Sequence, residues 1–119
     1  MLPNSFSLNK TTEDRLKLLK LRTGVAPNVS ARLAFFKSIH SGFKATNWGD
    51  YVIDGGLRLD KLTWLGSNQL VIETVLKSYY PRIESVTEMQ RVWAMHVEHG
   101  SASFHNRYDL GDFVSEILK

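Results

Sequence analysis

The chain has no cysteine among its 119 residues, so it can form no disulfide, thiolate zinc site, iron–sulfur ligation or cysteine nucleophile. No apolar run approaches the ~18 residues of a membrane span. The opening MLPNSFSLNK lacks the basic lead and apolar stretch of a secretion signal. A cytoplasmic protein without membrane attachment is the expectation. No serine sits in a nucleophile elbow. Gly55–Gly56 has neither a following Lys-Ser/Thr nor a third glycine, so a nucleotide-cradling loop is not expected. Asp50, Asp54 and Asp60 are spaced as turn and solubility residues rather than as a two-metal set. His96 and His99 lie three apart around Glu98, with His105 beyond, which resembles a metal cluster. However, His96 falls on an apolar face beside Trp93, and no third ligand has helical spacing to both. His96, and His40 on the apolar face of the second helix, read as core histidines. The chain reads as a non-enzyme with no catalytic residue, metal or cofactor.

Charge is present and unevenly spread. Residues 1–44 hold eight Lys/Arg against Glu13 and Asp14, a balance of +6, and the remainder holds seven against ten, a balance of −3. A basic first third on a mildly acidic body steers toward a polyanion. At this length, with 43% apolar residues, the chain fits one domain small enough to gain from association with copies of itself. Within it, residues 1–44 form a basic arm plus a helix pair, and 45–119 a helical body.

Phe6 and Leu8 alternate with polar residues, which predicts a brief strand or arm. A first helix follows, capped by Thr11 or Thr12 and stopped at Gly24. Leu16 and Leu19 share one side of its wheel and Leu18 and Leu21 the other, with Lys17/Lys20 and Arg15/Arg22 between them. The second leucine pair calls for a second apolar partner, most economically another copy of the chain. Pro27 suits the start of a second helix, with Asn28 or Ser30 as its cap. That helix is expected to bury Val29, Leu33, Phe36, Ile39 and Phe43, to leave Ala31, Ala34 and Ser38 opposite, and to stop at Gly42. The turn over residues 23–30 then points free amides outward as an anion site. Further on, Leu57, Leu59, Leu62 and Trp64 predict an extended segment. Helices are expected over 68–80 (Val71, Ile72, Val75, Leu76, Tyr79, ended by Pro81), over 86–99 (Met89, Val92, Trp93, His96, Val97, stopped by Gly100) and over 108–118 (Leu110, Phe113, Val114, Ile117, Leu118).

The fold class is therefore mainly α: a ribbon-helix-helix-like N-terminal core with additional C-terminal helices and a short extended segment. A ribbon-helix-helix pairs strands from two chains and holds a phosphate at the second helix's start. A repressor-type helix-turn-helix competes, but the second helix has few polar groups free to read base edges. The DNA-binding candidates are Lys10, Arg15, Lys17, Lys20, Arg22, Asn28 and Lys37. The oligomer-interface candidates are Leu18, Leu21 and Arg32; Arg32, on the apolar side of the second helix, is expected to pair with an acidic group at an interface rather than with phosphate.

MLPN, TEDRLKLLKLRTGVAPNVSARLAFFKSI (residues 12–39), LDKLTWLG (59–66) and WAMHVEHG (93–100) together resemble the DndE family. This is the small component of the bacterial machinery that replaces a non-bridging oxygen of the DNA backbone with sulfur. The resemblance implies a double-stranded-DNA-binding accessory protein with a ribbon-helix-helix-like core, assembled as a homotetramer. It also implies partners: a cysteine desulfurase, an iron–sulfur ATP-using protein and an ATPase resembling chromosome-maintenance proteins. A chain without cysteine cannot carry the sulfur itself, so its part is to bind or position DNA, or to organise the complex. The alternatives are a scaffold that binds an acidic partner subunit and, more remotely, a metal-dependent nickase.

Overall fold

Helix α5, Val86–Ser101, is the axis of the fold. Its consecutive Val92, Trp93 and Ala94, with Met89 and Val97, are all buried, because a helix apolar on most sides is stable only when covered on most sides. Ser85 caps it, accepting the Glu88 N–H at 3.1 Å. The computed structural model describes residues 1–104 and 109–118. In chain order it has β1 (Ser5–Phe6), α1 (Lys10–Thr23), α2 (Pro27–His40), a 3₁₀ turn at Trp48–Asp50, β2 (Leu59–Asp60), α3 (Lys61–Leu65), a second 3₁₀ turn at Gly66–Asn68, then α4 (Gln69–Tyr79), α5 and α6 (Leu110–Leu118).

Helix α2 lies along α5 and reverses the expected face. Ala31, Ala34 and Ser38 are buried, with Phe35, while Leu33, Phe36, Ile39 and Phe43 are only partly covered and Val29 is exposed. The cause is backbone proximity: a Cβ on Gly100 would overlap the Ala34 carbonyl, so only small residues fit between the helices. Gly100 is thus a packing residue inside α5, which runs on to Ser101, and not its stop.

Asn9, rather than Thr11 or Thr12, caps α1, its Oδ1 accepting the Thr12 N–H at 2.8 Å; Thr12 itself is buried. Gly24, at φ 76°, ends the helix through its N–H to the Lys20 carbonyl. Leu16 and Leu19 face the core, while Leu18 and Leu21 are 45% and 80% exposed, as the two-sided wheel requires.

The strand at Phe6 finds its partner within its own chain. It pairs antiparallel with β2, Ser5 opposite Asp60 and Phe6 opposite Leu59. Arg58 clamps Ser5 through its hydroxyl and carbonyl, and the Trp64 indole N–H donates to the Phe6 carbonyl at 2.7 Å. The ribbon of a ribbon-helix-helix dimer, shared between two chains, is not what this pairing forms. The stretch expected to be extended through Trp64 instead turns helical at Lys61, because Asp60 caps α3 by accepting the Thr63 N–H at 2.7 Å.

In α4 only Ile72 and Leu76 are buried; Val71 and Tyr79 face outward. In α6 Phe113 packs edge-on against Phe104 at 4.9 Å, whereas Leu110, Val114 and Leu118, expected in the core, are exposed. No helix among the described residues is long and apolar enough to cross a membrane.

Replacing Gly100 by Ala should force α2 and α5 apart and cost about 3 kcal/mol, measured as a fall in the urea midpoint at unchanged slope.

Candidate nucleic-acid interface

Between Gly24 and Pro27 the chain has only two residues in which to reverse, so the end of α1 and the start of α2 stand side by side. Pro27 opens α2 with its fixed φ, and Ala26, in the capping position, has no side chain able to cap. Neither expected cap serves: Asn28 donates its amide across to the Thr63 carbonyl at 3.1 Å, and the Ser30 hydroxyl is buried without a hydrogen-bond partner among the described residues. Pro27 has no N–H, and the Val29 and Ser30 N–H groups both reach the Ala26 carbonyl at 3.0 Å. Of the first amides of α2 expected to be free, only that of Asn28 is therefore left without a partner among the described residues, at the positive end of the helix dipole.

A cleft of about 750 Å³ opens at this point. Lys17, Lys20 and Leu21 line it from α1, Pro27 and Asn28 from α2, and Leu57, Leu59 and Thr63 from the segment around β2. Lys17 is paired with Glu13 at 2.9 Å. Burial alone would raise the Glu13 carboxyl, but the Leu57 N–H, 2.6 Å away, and the Lys17 ammonium outweigh it and hold its pKa below the ordinary value. Lys20 and Arg22 make no ion pair among the described residues and are exposed.

The seven DNA-binding candidates separate into groups. Lys17, Lys20 and Asn28 meet at the cleft. Lys10 is exposed but paired with Asp14 at 2.7 Å, whose hydrogen bond and charge raise its pKa. Arg15 is tied to α5, donating to the Ser101 hydroxyl at 2.9 Å and the Glu98 carbonyl at 3.3 Å. Lys37 is tied to α6 through the Glu116 carbonyl and carboxylate. Arg32 has no acidic partner among the described residues, and its buried Nε lacks an acceptor. Sequence reasoning missed Leu57, Leu59 and Thr63, which reach the cleft only through the β1–β2 pairing. The i, i+4 spacing of Glu13 and Lys17 was the one local signal of Glu13's role.

His96 and His99 belong to the α2–α5 seam. The Tyr80 hydroxyl accepts the Ala45 N–H at 2.8 Å and shares a second hydrogen bond with His96 Nε2 at 2.6 Å. The Ser38 hydroxyl bridges the two rings, hydrogen-bonded to His96 Nδ1 at 2.8 Å and to His99 Nδ1 at 2.9 Å. His96 is thus a fully hydrogen-bonded core histidine. Its pKa is lowered to about 4, by burial first and then by His99 and Lys44. His99 stacks on Phe43 at 4.0 Å, and burial lowers its pKa too. His40, expected in the core, is exposed, and His105 lies outside the described residues. No three metal-ligating side chains converge among the described residues.

Fold and cleft define a small, mainly helical protein with a lysine-flanked cleft at a helix start. A family model described as DNA sulphur modification protein DndE matches residues 5–112, and the chain belongs to the DndE family. It is similar to the crystal structure of DndE from Escherichia coli B7A involved in DNA phosphorothioation modification: 47% identity and a TM-score of 0.81 over 88% of this chain and 100% of that one. It is also similar to a mutant DndE involved in DNA phosphorothioation, at 44% identity and a TM-score of 0.79 with the same coverage. No curated protein matches the chain.

Unfolded, His96 titrates near its ordinary 6.5, and folded near 4. Between these values the unfolded chain binds more protons, so the part of the stability that rests on neutral His96 is fully present above pH 6.5 and is lost as pH falls toward 4. The loss should reach about 3 kcal/mol, and urea unfolding of His96→Gln should show a flatter pH dependence across that window.

Proposed function

We propose that this protein is a DNA-binding accessory subunit of the DNA phosphorothioation system. It holds the duplex backbone without reading sequence, and it catalyses no step itself. The observation that carries this reading is the meeting of Lys17, Lys20 and the uncapped start of α2 in one cleft, since a helix start beside unburied ammonium groups suits a phosphate. Its neighbours Leu57, Leu59 and Leu21 are apolar, and the Asn28 amide is held by the Thr63 carbonyl, so backbone contact is favoured over the reading of base edges. With no cysteine the chain cannot carry sulfur as a persulfide, which leaves positioning as its contribution in the cytoplasm beside the sulfur-handling subunits. Replacing a backbone oxygen calls for an opened or strained strand, and nicked duplex is therefore the preferred ligand.

The exposed Leu18 and Leu21 support assembly of the chain with its own copies, as a tetramer, and Leu21 lines the cleft as well. Assembly through this edge of α1 would bring clefts of neighbouring copies together. The second reading, a scaffold for an acidic partner subunit, draws on the same lysines, and the salt dependence of DNA binding separates the two.

Lys17→Ala with Lys20→Ala should weaken binding to unrelated duplexes alike and reduce the slope of log affinity against log salt by about 0.9 for each phosphate no longer neutralised. Wild type should bind nicked duplex more tightly than intact. Fluorescence anisotropy over a salt series measures all three, and salt-independent wild-type binding would favour the scaffold.

Leu18→Lys should lower the particle mass seen by light scattering at micromolar concentration, because the charge cannot be buried against an apolar partner. A monomeric wild type would remove the oligomer from this reading.

A further inference from the structure

The α2–α3 seam carries the cleft one helical turn further than its visible lining. Asn28 lines the cleft and bonds to Thr63. Arg32 follows Asn28 by one turn of α2, and Gly66 follows Thr63 at the end of α3. These two successors also touch: a Cβ on Gly66 would lie 2.6 Å from Arg32 Nη1 and 3.1 Å from its Cζ. Residue 66 therefore leaves the space that the guanidinium fills. The guanidinium makes no hydrogen bond or ion pair among the described residues, and its Nε is fully buried without an acceptor. The Nε bears the cost of desolvation without an acceptor, while the residue as a whole is only partly buried.

We propose that Arg32 is a phosphate ligand, taking the DNA phosphodiester next along the strand from the one at the start of α2. The proposal rests on the DNA-binding reading above and names a residue for it. Four residues of α2 span ~6 Å, so the helix start and Arg32 are two anion positions in a row, with Lys17 and Lys20 beside the first. Such a row suits a polymer charged at every unit rather than a single carboxylate. The fork of Arg32 offers two parallel N–H donors to one phosphate, a geometry that a lysine cannot reproduce.

The test compares wild type, Arg32→Gln, Arg32→Lys and Lys17→Ala/Lys20→Ala on one short duplex over a salt series, with thermal unfolding and particle mass measured in parallel. Arg32→Gln should bind about tenfold more weakly, with a salt slope lower by about 0.9, at unchanged mass and with a melting temperature equal to wild type or higher. Arg32→Lys should keep the slope and bind more weakly. In wild type, the Arg32 Nε–H resonance should shift on addition of duplex, a readout that needs no variant. Wild-type affinity and slope in Arg32→Gln, with weakened binding in the lysine double mutant, would overturn the proposal and leave the cleft reading intact. A change of mass in Arg32→Gln, with no shift of the Nε–H signal, would assign the guanidinium to a carboxylate of a second copy and overturn it equally. Unchanged binding in every variant would remove the cleft reading itself.

Discussion

The contact on which the rest of the structure depends is the backbone approach of α2 to α5. Ala34 and Gly100 have almost no side chain between them, and that closeness brings Ser38 within reach of both His96 and His99. A larger residue at either position would separate the helices, break the Tyr80–His96–Ser38–His99 chain and strand a buried imidazole. Small size and polar satisfaction therefore support one another: the tight seam excludes water, and exclusion of water makes the hydrogen-bonded chain necessary. The seam also fixes the axis of α2, and with it the direction in which the start of that helix points.

The way the fold uses its basic residues follows from this axis. Arg15 and Lys37 lie on the sides of α1 and α2 that meet α5 and α6, and each is spent on joining helices. Lys17 and Lys20 lie where α1 runs beside the turn into α2, and they stay accessible. The +6 balance of residues 1–44 is thus divided between internal ties and an outward face, and net charge alone does not show the division.

Much of the fold was legible because local rules decided it. The order of helices, the stop at Gly24, the helix start at Pro27, the ending of α4 before Pro81 and the inward residues of α5 all follow from periodicity and turn chemistry. Two failures were local, the Asn9 cap of α1 and the Asp60 cap that turns Lys61 helical; the larger ones come from distance along the chain. Which face of α2 is buried depends on Gly100, more than sixty residues away, and a wheel that ranks residues by size favours Phe36 over Ala34. The partner of β1 lies at Leu59–Asp60, and nothing within the strand distinguishes that partner from a second copy. At the site, the lysines and the helix start were readable, whereas the wall formed by Leu57, Leu59 and Thr63 was not, because it arrives through that same pairing.

The stitching of the first residues has a consequence for how the chain folds. The Leu2 N–H reaches Glu73, the Asn4 carbonyl takes the Lys61 N–H, the Leu8 carbonyl takes the Gly55 N–H, and Phe6 packs against Trp93 at 4.9 Å. These bonds, which hold the leading segment, all close long loops of the chain. As the chain leaves the ribosome, α1 and α2 can form early from local contacts, but the arm that anchors them must wait until the second half has emerged. The basic stretch is therefore made before the segments that lock it in place, so the lysine-flanked cleft is completed only after the segment carrying Leu57, Leu59 and Thr63 has followed it.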